Sequence, residues 1–290
     1  MERQPLDGPI GLVVHPKREI DNALRTIHEW AEAHGLRVGQ VPVDGQHRKV
    51  AEPIDAGDCA LIVAVGGDGT ALAGLHAGAK ASRPVLGVAC GSIGALTSVT
   101  ADKVDEALGQ VVEGDWRPHS LPALDVKGDG LEAIAINDVA VVRDGDGQLI
   151  SSISIDGQIY ARVAGDGVIV ATPIGSSAYT MAARGPLLTP TCDNFAVTPL
   201  ASHGGSIPPL VLAGHNELTL ELQAGYGGMR LEVDGRGTDA NTDTLTITRR
   251  GGYATLVTLD GGEAMIAGLR RRGLVLDSPR AKLRTERKDD

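Results

Sequence analysis

The sequence contains few aromatic residues and fewer basic than acidic side chains. Aromatic residues make up 2% of the 290 positions, so a stacking surface for single-stranded nucleic acid is not expected. Lys and Arg number 27 against 37 for Asp and Glu, and the net charge of −10 disfavours binding to phosphate backbones or to an anionic bilayer. We therefore expect neither nucleic acid nor a membrane as a main partner.

Cysteine and long apolar segments are also scarce. Cys59, Cys90 and Cys192 are widely spaced, which supports neither a zinc cluster nor a secreted disulfide framework. No apolar run of the sequence approaches the roughly 20 residues that a membrane helix needs, and residues 1–9 lack the apolar core of a signal peptide. These absences predict a reduced, cytoplasmic protein whose core needs no disulfide or metal.

The chain divides into two parts with different patterns. Before residue 117, apolar runs expected to be strands alternate with helical patterns, and this alternation predicts βαβ units around a mainly parallel sheet. The expected strands are 10–14, 36–41, 60–65 and 85–89, and the expected helices are 18–34, 70–80 and 102–112. After residue 117, alternating segments such as 150–155, 218–222 and 244–248 lie between turns rich in Gly and Asp, which predicts antiparallel β structure.

We therefore predict an α/β fold in which an N-terminal α/β domain with a mainly parallel sheet is joined to a C-terminal β-rich domain. The expected boundaries are residues 1–116 for the first domain and 117–262 for the second. Residues 263–290 are expected to pack back on the first domain, beginning with a helix at 263–272 and ending in a charged tail.

A glycine-rich segment, Gly66-Gly67-Asp68-Gly69-Thr70, connects a predicted buried strand to a predicted helix. Open α/β sheets bind ligands at the carboxyl ends of their strands. Glycines there allow positive φ and a close approach of the backbone, and amides at a helix N-terminus can face phosphate. A carboxylate beside phosphate is repulsive unless it accepts a proton or binds a metal ion, so Asp68 is a candidate base or Mg²⁺ ligand. The alternative is a tight turn in which Asp68 bonds its own backbone.

Three further segments carry polar groups near predicted strand ends. Residues 166–179 lead from a β-branched strand through a Thr-Pro turn to hydroxyl groups and Tyr179, and form either a purine pocket or a simple strand, turn and capped helix. Asn137-Asp138 lies between apolar runs, where neighbouring side chains point to opposite faces unless a bulge intervenes. Lys17 and Arg18 follow the first strand and either meet phosphates or begin a solvated helix.

In this order and at these separations, the segments resemble the motifs of the NAD kinase family. That family carries GGDGT, then an Asn-Glu pair, then DG followed by TPTGSTAY and GGP, and Val233-Asp234-Gly235 also resembles a family segment. GGDGT alone is shared with lipid kinases of the diacylglycerol and sphingosine types, whereas the TPxGSxAY segment is the specific part. The resemblance spans roughly residues 10–270.

The resemblance implies transfer of the γ-phosphoryl group of ATP, or of polyphosphate in some members, to the 2′-hydroxyl of the adenosine ribose of NAD. The resemblance also implies Mg²⁺ or another divalent cation, for which no protein ligands are assigned. It further implies a homodimer or a homotetramer. By the same likeness Asp68 is the catalytic base. Gly66, Gly67, Gly69 and Thr70 form the phosphate-facing loop, with Lys17 and Arg18 as further candidate ATP contacts, and the candidate NAD contacts are Asn137, Asp138, Asp166, Ser177, Ala178, Tyr179 and Asp234.

The sequence departs from the family pattern at five positions. Asp138 replaces Glu, Ile174 replaces a Thr on the substrate-facing turn, and Arg184 replaces the first Gly of GGP. Ala89 and Pro208 stand where many members carry Asn and Arg. Two alternatives to an NAD kinase therefore stay open: a lipid kinase of the GGDGT superfamily and a catalytically silent NAD-binding paralogue.

Overall fold

The computed structural model describes residues 7–204, 207–240, 242–259 and 265–279. The first part of the chain forms an α/β layer with a parallel sheet in the order β2-β1-β3-β4-β5. Its elements are β1 (Ile10–Val14), α1 (Asp21–Ala33), β2 (Val38–Gln40), β3 (Leu61–Gly66), α2 (Asp68–Ala81), β4 (Val85–Ala89), β5 (Val99–Thr100) and α3 (Val104–Val112). The predicted parallel sheet and its βαβ connections are confirmed.

The helices cover both faces of this sheet because side chains of successive strand residues point in opposite directions. Leu12, Val63 and Val65 pack against α1 and α3 in one apolar cluster. Val13, Ile62 and Ala64 face the other side and pack with residues of α2. Both faces of β1 and β3 are therefore buried, which explains their unbroken apolar sequences.

The second part of the chain forms two antiparallel sheets that enclose a second core. Its elements are β6 (Arg117–Gly128), β7 (Leu131–Ala135), β8 (Asp138–Arg143), β9 (Leu149–Ile155), β10 (Gln158–Gly165), β11 (Gly167–Ala171), α4 (Tyr179–Ala182), β12 (Asn194–Leu200), β13 (Leu210–Ala213), β14 (Glu217–Gln223), β15 (Met229–Val233), β16 (Arg236–Gly237), β17 (Thr244–Thr258) and α5 (Met265–Arg271). One sheet has the order β13-β12-β11-β8-β15-β16, and the other contains β10-β9-β14-β17 with β6 and β7. The predicted antiparallel β-rich part is confirmed.

Two long strands connect the parts. β17 pairs antiparallel with β6 along its length and parallel with β4 through Leu256 and Val85, so that one sheet continues from the α/β layer into the β-rich layer. Because both layers share these strands, the domain boundaries at residues 116 and 262 stay predictions. Packing of residues 263–290 on the first domain also stays a prediction, and residues 260–264 and 280–290 lie outside the described residues.

Within the described ranges, the helices are too short or too polar to cross a bilayer.

Candidate active site

The glycine-rich loop lies at the carboxyl end of β3, where α2 begins at Asp68 and not at Thr70. The expected positive φ is not observed at its three glycines, and Gly67 has an extended backbone with φ −138°. Gly66 is instead required by space, because a Cβ there would lie 2.3 Å from Thr70 Oγ1. Gly69 has no neighbour within 4 Å of such a position, so open space borders the first turn of α2.

Asp68 bonds the loop that follows β4 and not its own turn. Its two carboxylate oxygens accept hydrogen bonds from the backbone N–H groups of Ala95, at 2.9 Å, and Leu96, at 3.0 Å. Gly94 leaves the space for this approach, since a Cβ there would overlap the carboxylate. An ionised carboxylate has about four acceptor sites, so two backbone bonds leave capacity for a substrate hydroxyl. The loop thereby fixes the position of Asp68 while leaving it able to accept a proton.

A cleft of about 550 Å³ opens over the glycine-rich loop. Asp68, Gly69 and Thr70 line it, together with Arg18 from the chain after β1 and Arg236 from β16. The Arg18 guanidinium donates to the Cys90 carbonyl at 3.1 Å, which holds it near Gly67. The cleft therefore combines amides at a helix N-terminus with two guanidinium groups, an arrangement that suits a polyanion.

The cleft differs from the sequence prediction at two residues: Arg236 lines it without having been predicted, and Lys17 was predicted but does not line it. Arg236 is not among the residues predicted from the sequence, because it is separated from the loop by most of the chain and belongs to no motif. Lys17 is exposed and lies outside the lining of the cleft, so its contact with ATP stays a prediction. The signal for Arg236 was its position directly after the Asp234-Gly235 turn.

Asn137 and Asp138 lie at a bend between β7 and β8, not within one continuous strand. The bend is held by Asp234, whose carboxylate accepts the backbone N–H groups of Ile136 at 3.0 Å, Asn137 at 2.7 Å and Asp138 at 3.3 Å. His76 of α2 completes the set, with Nε2 2.6 Å from Oδ2 of Asp234. Asp234 was predicted as an NAD contact, but in the structure protein donors surround its carboxylate.

Asp138 is a buried carboxyl group next to other acids. Burial and the charge of Asp234 raise its pKa from 3.8 to about 7, and a hydrogen bond from the Tyr179 backbone opposes this rise. The Tyr179 contact joins the 136–138 bend to the segment that carries Ser177, Ala178 and Tyr179. The structure thus brings two of the predicted motifs into direct contact.

The Thr-Pro turn packs closely on the same bend. Thr172 donates its hydroxyl proton to the Ile136 carbonyl at 2.6 Å, and a Cβ on Gly175 would lie 1.9 Å from the Asn137 carbonyl oxygen. Glycine is therefore required at position 175 for backbone contact. Ile174, expected on a substrate-facing turn, is instead buried in the apolar cluster that includes Leu75 of α2. The missing hydroxyl at this departure is thus replaced by packing between the two parts of the fold.

Ser177 and Ala178 occupy the last turn before α4. The Ser177 hydroxyl donates to the Ile174 carbonyl at 3.0 Å, and Ala178 is exposed. Asp166 lies at the other end of this segment, where its carboxylate accepts a 2.6 Å hydrogen bond from Arg143 Nε. Asp166 and the half-exposed Tyr179 line a depression of about 340 Å³ together with Arg143 and Arg230. Neither arginine was predicted from the sequence.

The other departures from the family pattern occur in different local settings. Arg184 has a φ of 60°, a left-handed conformation that glycine adopts without strain. Ala89 ends β4 and is buried beside Gly66. The Pro208 carbonyl accepts a 2.7 Å hydrogen bond from the Tyr160 hydroxyl. Nothing in the structure explains the Arg at position 184, where glycine would carry no strain, and the Pro208 contact lies outside the clefts described above.

A glycine loop with a fixed aspartate and a cleft lined by two arginines together define a phosphotransferase site. Comparisons with known proteins support this class. Residues 31–116 match the ATP-NAD kinase N-terminal domain, and residues 136–279 match the ATP-NAD kinase C-terminal domain. These two matches cover the glycine loop, the 136–138 bend, the Thr-Pro turn and Asp234.

Curated relatives agree with this match. The chain is 33% identical over 234 residues to an NAD kinase of Pseudomonas aeruginosa, covering 78% of this chain and 76% of the relative. It is 32% identical over 270 residues to an NAD kinase of Nocardia farcinica, covering 80% of each. The chain belongs to the ATP-NAD kinase family and is a kinase.

Two solved structures share the fold. A crystal structure of yeast NADH kinase complexed with NADH superposes with a TM-score of 0.77 at 20% identity, covering 95% of this chain and 89% of that one. An NAD kinase from Archaeoglobus fulgidus in complex with ATP gives a TM-score of 0.70 at 22% identity, covering 91% and 97%. At these identities the likeness establishes the shared fold.

Proposed function

We propose that this kinase transfers the γ-phosphoryl group of ATP to the 2′-hydroxyl of the adenosine ribose of NAD, giving NADP. The observation that carries the proposal is the fixed carboxylate of Asp68 at the N-terminus of α2, inside a cleft lined by Arg18 and Arg236. Phosphoryl transfer requires mainly positioning, neutralisation of charge and one proton acceptor. These residues supply each of those parts.

On the donor side, the triphosphate lies over the glycine-rich loop. The amides at the start of α2 face its oxygens, Arg18 and Arg236 neutralise their charge, and Thr70 lines the same cleft. Lys17 lies on the solvent side and is a candidate contact for a longer donor such as polyphosphate. The γ-phosphorus is thereby placed next to Asp68.

On the acceptor side, the 136–138 bend and the Thr-Pro turn hold the NAD. Asn137 and Asp138 contact the ribose, while Ser177, Ala178 and Tyr179 surround the adenine. Asp166, oriented by Arg143, receives the nicotinamide end in the depression that it shares with Tyr179. Asp68 accepts the proton of the 2′-hydroxyl as the oxygen bonds to the γ-phosphorus, and the bond from that phosphorus to the β,γ-bridging oxygen breaks so that ADP leaves.

A divalent cation such as Mg²⁺ fits this site as part of the ATP complex. Among the described residues there is no group of three or more His, Cys, Asp and Glu side chains that could hold a metal ion. Asp44 and Asp68 line the cleft, and Mg²⁺ is commonly bound by one or two carboxylates together with substrate phosphates. When bound, the cation would neutralise charge on the phosphates, and Asp44 would be its protein ligand, since Asp68 serves as the base.

We also propose a cytoplasmic protein that assembles as a homodimer or homotetramer. The scattered, unpaired cysteines support a reducing compartment, and Cys59 is buried. The family resemblance supports the assembly. Size-exclusion chromatography with light scattering would measure the mass directly.

The test of the function is turnover of the purified chain with ATP, Mg²⁺ and NAD, read out with a dehydrogenase that requires NADP. We expect NADP to form in proportion to enzyme. NAD binding without turnover would instead support the catalytically silent alternative. The family assignment leaves the lipid kinase alternative without support, and a parallel assay with diacylglycerol vesicles checks that point.

Two glycines of the loop give a matched pair of variants. Gly69→Ala should raise the thermal midpoint, because Ala is favoured over Gly within a helix by up to about 1 kcal/mol and the added Cβ meets no protein atom. The same Cβ enters the space over the loop, so we expect the KM for ATP to rise about 10-fold, as happens when a bound reactant is displaced.

Gly66→Ala is the steric control, since its Cβ would overlap Thr70 and should lower the thermal midpoint. Differential scanning fluorimetry and steady-state kinetics measure both effects. An unchanged KM for ATP in Gly69→Ala would show that the donor does not approach the loop at this turn.

A further inference from the structure

Asp234 and His76 form a contact between the two parts of the fold. His76 projects from α2, the helix that begins with Asp68, and Asp234 lies in the turn between β15 and β16. Their side chains meet at 2.6 Å, with the Asp234 side chain 5% exposed and the His76 side chain 28% exposed. The His76 ring also lies edge-on to the Tyr253 ring, with a centroid separation of 6.1 Å, which limits its rotation.

The turn between β15 and β16 does not itself require a carboxylate at position 234. Asp234 and Gly235 have φ values of 51° and 71° and connect paired Val233 and Arg236, the geometry of a two-residue hairpin. Asn-Gly suits such a turn as well as Asp-Gly. If Asp234 served only the turn, its replacement by Asn would therefore be tolerated.

The carboxylate instead organises the bend that carries the acceptor motif. Its oxygens receive three backbone N–H groups, from residues 136, 137 and 138, and the Asp234 N–H donates to the Asp138 carbonyl at 2.9 Å. With His76 as a fourth donor, all four acceptor positions of the carboxylate are used. Asp234 is therefore directed to the protein and has no lone pair left for a ligand.

We infer, on the basis of the proposed function, that His76 and Asp234 are positioning residues that set the placement of the Asn137–Asp138 bend relative to Asp68. His76 lies eight residues after Asp68 on one helix, a rise of about 12 Å. The pair thus connects the helix that carries the base to the segment that holds the acceptor ribose. Neither side chain needs to touch the nucleotide.

The test compares His76→Ala with His76→Gln. Gln can place an N–H donor near the position of the histidine Nε2, whereas Ala removes the donor. His28→Ala in α1 is the matched control for removing a partly exposed helical histidine. We expect His76→Ala to reduce kcat/KM for NAD about 10- to 100-fold, because small misplacements of reacting groups are costly, and His76→Gln to retain most of it.

Hydrogen exchange gives a readout that does not depend on activity. The amides of residues 136–138 should exchange at least about 10-fold faster in His76→Ala than in wild type, with protection restored in His76→Gln, because local opening sets the exchange rate. Wild-type exchange in His76→Ala would overturn the inference, as would faster exchange with unchanged kcat/KM. If wild type makes no NADP, the proposed function fails while the exchange data still decide whether the pair holds the bend.

Asp234→Asn separates positioning from turn formation. If Asp234 serves only the hairpin, Asp234→Asn should keep the wild-type hydrogen exchange and the wild-type kinetics. That outcome would overturn the inference. We expect instead the same losses as those predicted for His76→Ala, because the amide presents N–H groups to backbone donors. The thermal midpoint, measured alongside, identifies any variant that is not folded.

Discussion

Asp68→Asn is expected to lower kcat for NADP formation by about 10²- to 10⁴-fold, the usual contribution of a general base. The amide cannot accept the proton of the 2′-hydroxyl at neutral pH. NAD and ATP should still bind, because the cleft keeps Arg18, Arg236 and the amides of α2. Single-turnover kinetics and calorimetric titration of each nucleotide measure the two effects separately.

The structure adds a complication that a matched variant resolves. Asp68 also anchors the loop after β4 through Ala95 and Leu96, so an amide could act by loosening that loop. Thr97 accepts a 2.7 Å hydrogen bond from the Gly94 N–H in the same loop without touching Asp68. Thr97→Val loosens the loop while keeping the base. If Thr97→Val loses as much kcat as Asp68→Asn, or if Asp68→Asn keeps more than about a tenth of wild-type kcat, the assignment of Asp68 as a general base fails.

Four of the five strands of the parallel sheet could be predicted from the sequence, and the two-residue β5 could not. β1 and β4 have the expected boundaries because an unbroken apolar run marks a strand buried on both faces. The strand expected at residues 244–248 is instead 15 residues long. Its middle carries Arg249-Arg250-Gly251-Gly252, which is typical of a turn but here forms an irregularity in the pairing with β6.

The site could be predicted only where its residues lie in local motifs. Asp68 and the Thr-Pro turn belong to contiguous sequence motifs, so the local residue pattern indicates them, although their bonding partners lie 27 to 36 residues away. The pairing of His76 with Asp234 joins residues 158 positions apart, and no periodicity reports such a contact. Ile174 was misjudged for the same reason, since its apolar neighbours come from α2 and from β strands distant in sequence.

Asp138→Asn should stabilise the protein at alkaline pH while weakening its use of NAD. The pKa of Asp138 is about 7 in the folded protein against 3.8 ordinarily, because the group is buried and faces Asp234. Between these values the folded protein holds a proton that the unfolded chain has released. The free energy of unfolding therefore falls as pH rises from about 4 to about 7, and Asn carries no such dependence.

The measurable sign of this effect is a gap in stability that widens with pH. Between pH 5 and pH 8 the advantage of Asp138→Asn over wild type should grow by about 3 kcal/mol, because each pKa unit is worth about 1.4 kcal/mol. Urea unfolding at the two pH values measures it. A constant gap would show that Asp138 is ionised in the folded protein throughout this range.

Asp156→Asn provides a control of opposite sign. Hydrogen bonds from the Glu217 backbone and the Asn216 side chain lower the pKa of Asp156, so its contribution to stability is present at neutral pH and is lost in acid. Asp156→Asn should therefore be less stable than wild type at pH 7 and approach it as the pH falls below about 4.

At pH 8, where the Asp138 carboxyl group is mostly ionised, Asp138→Asn should also reduce kcat/KM for NAD about 10-fold, because the proposed contact with the ribose would lose a charged acceptor. A stabilised variant with reduced activity is the expected result where a buried acid is kept for binding and not for folding.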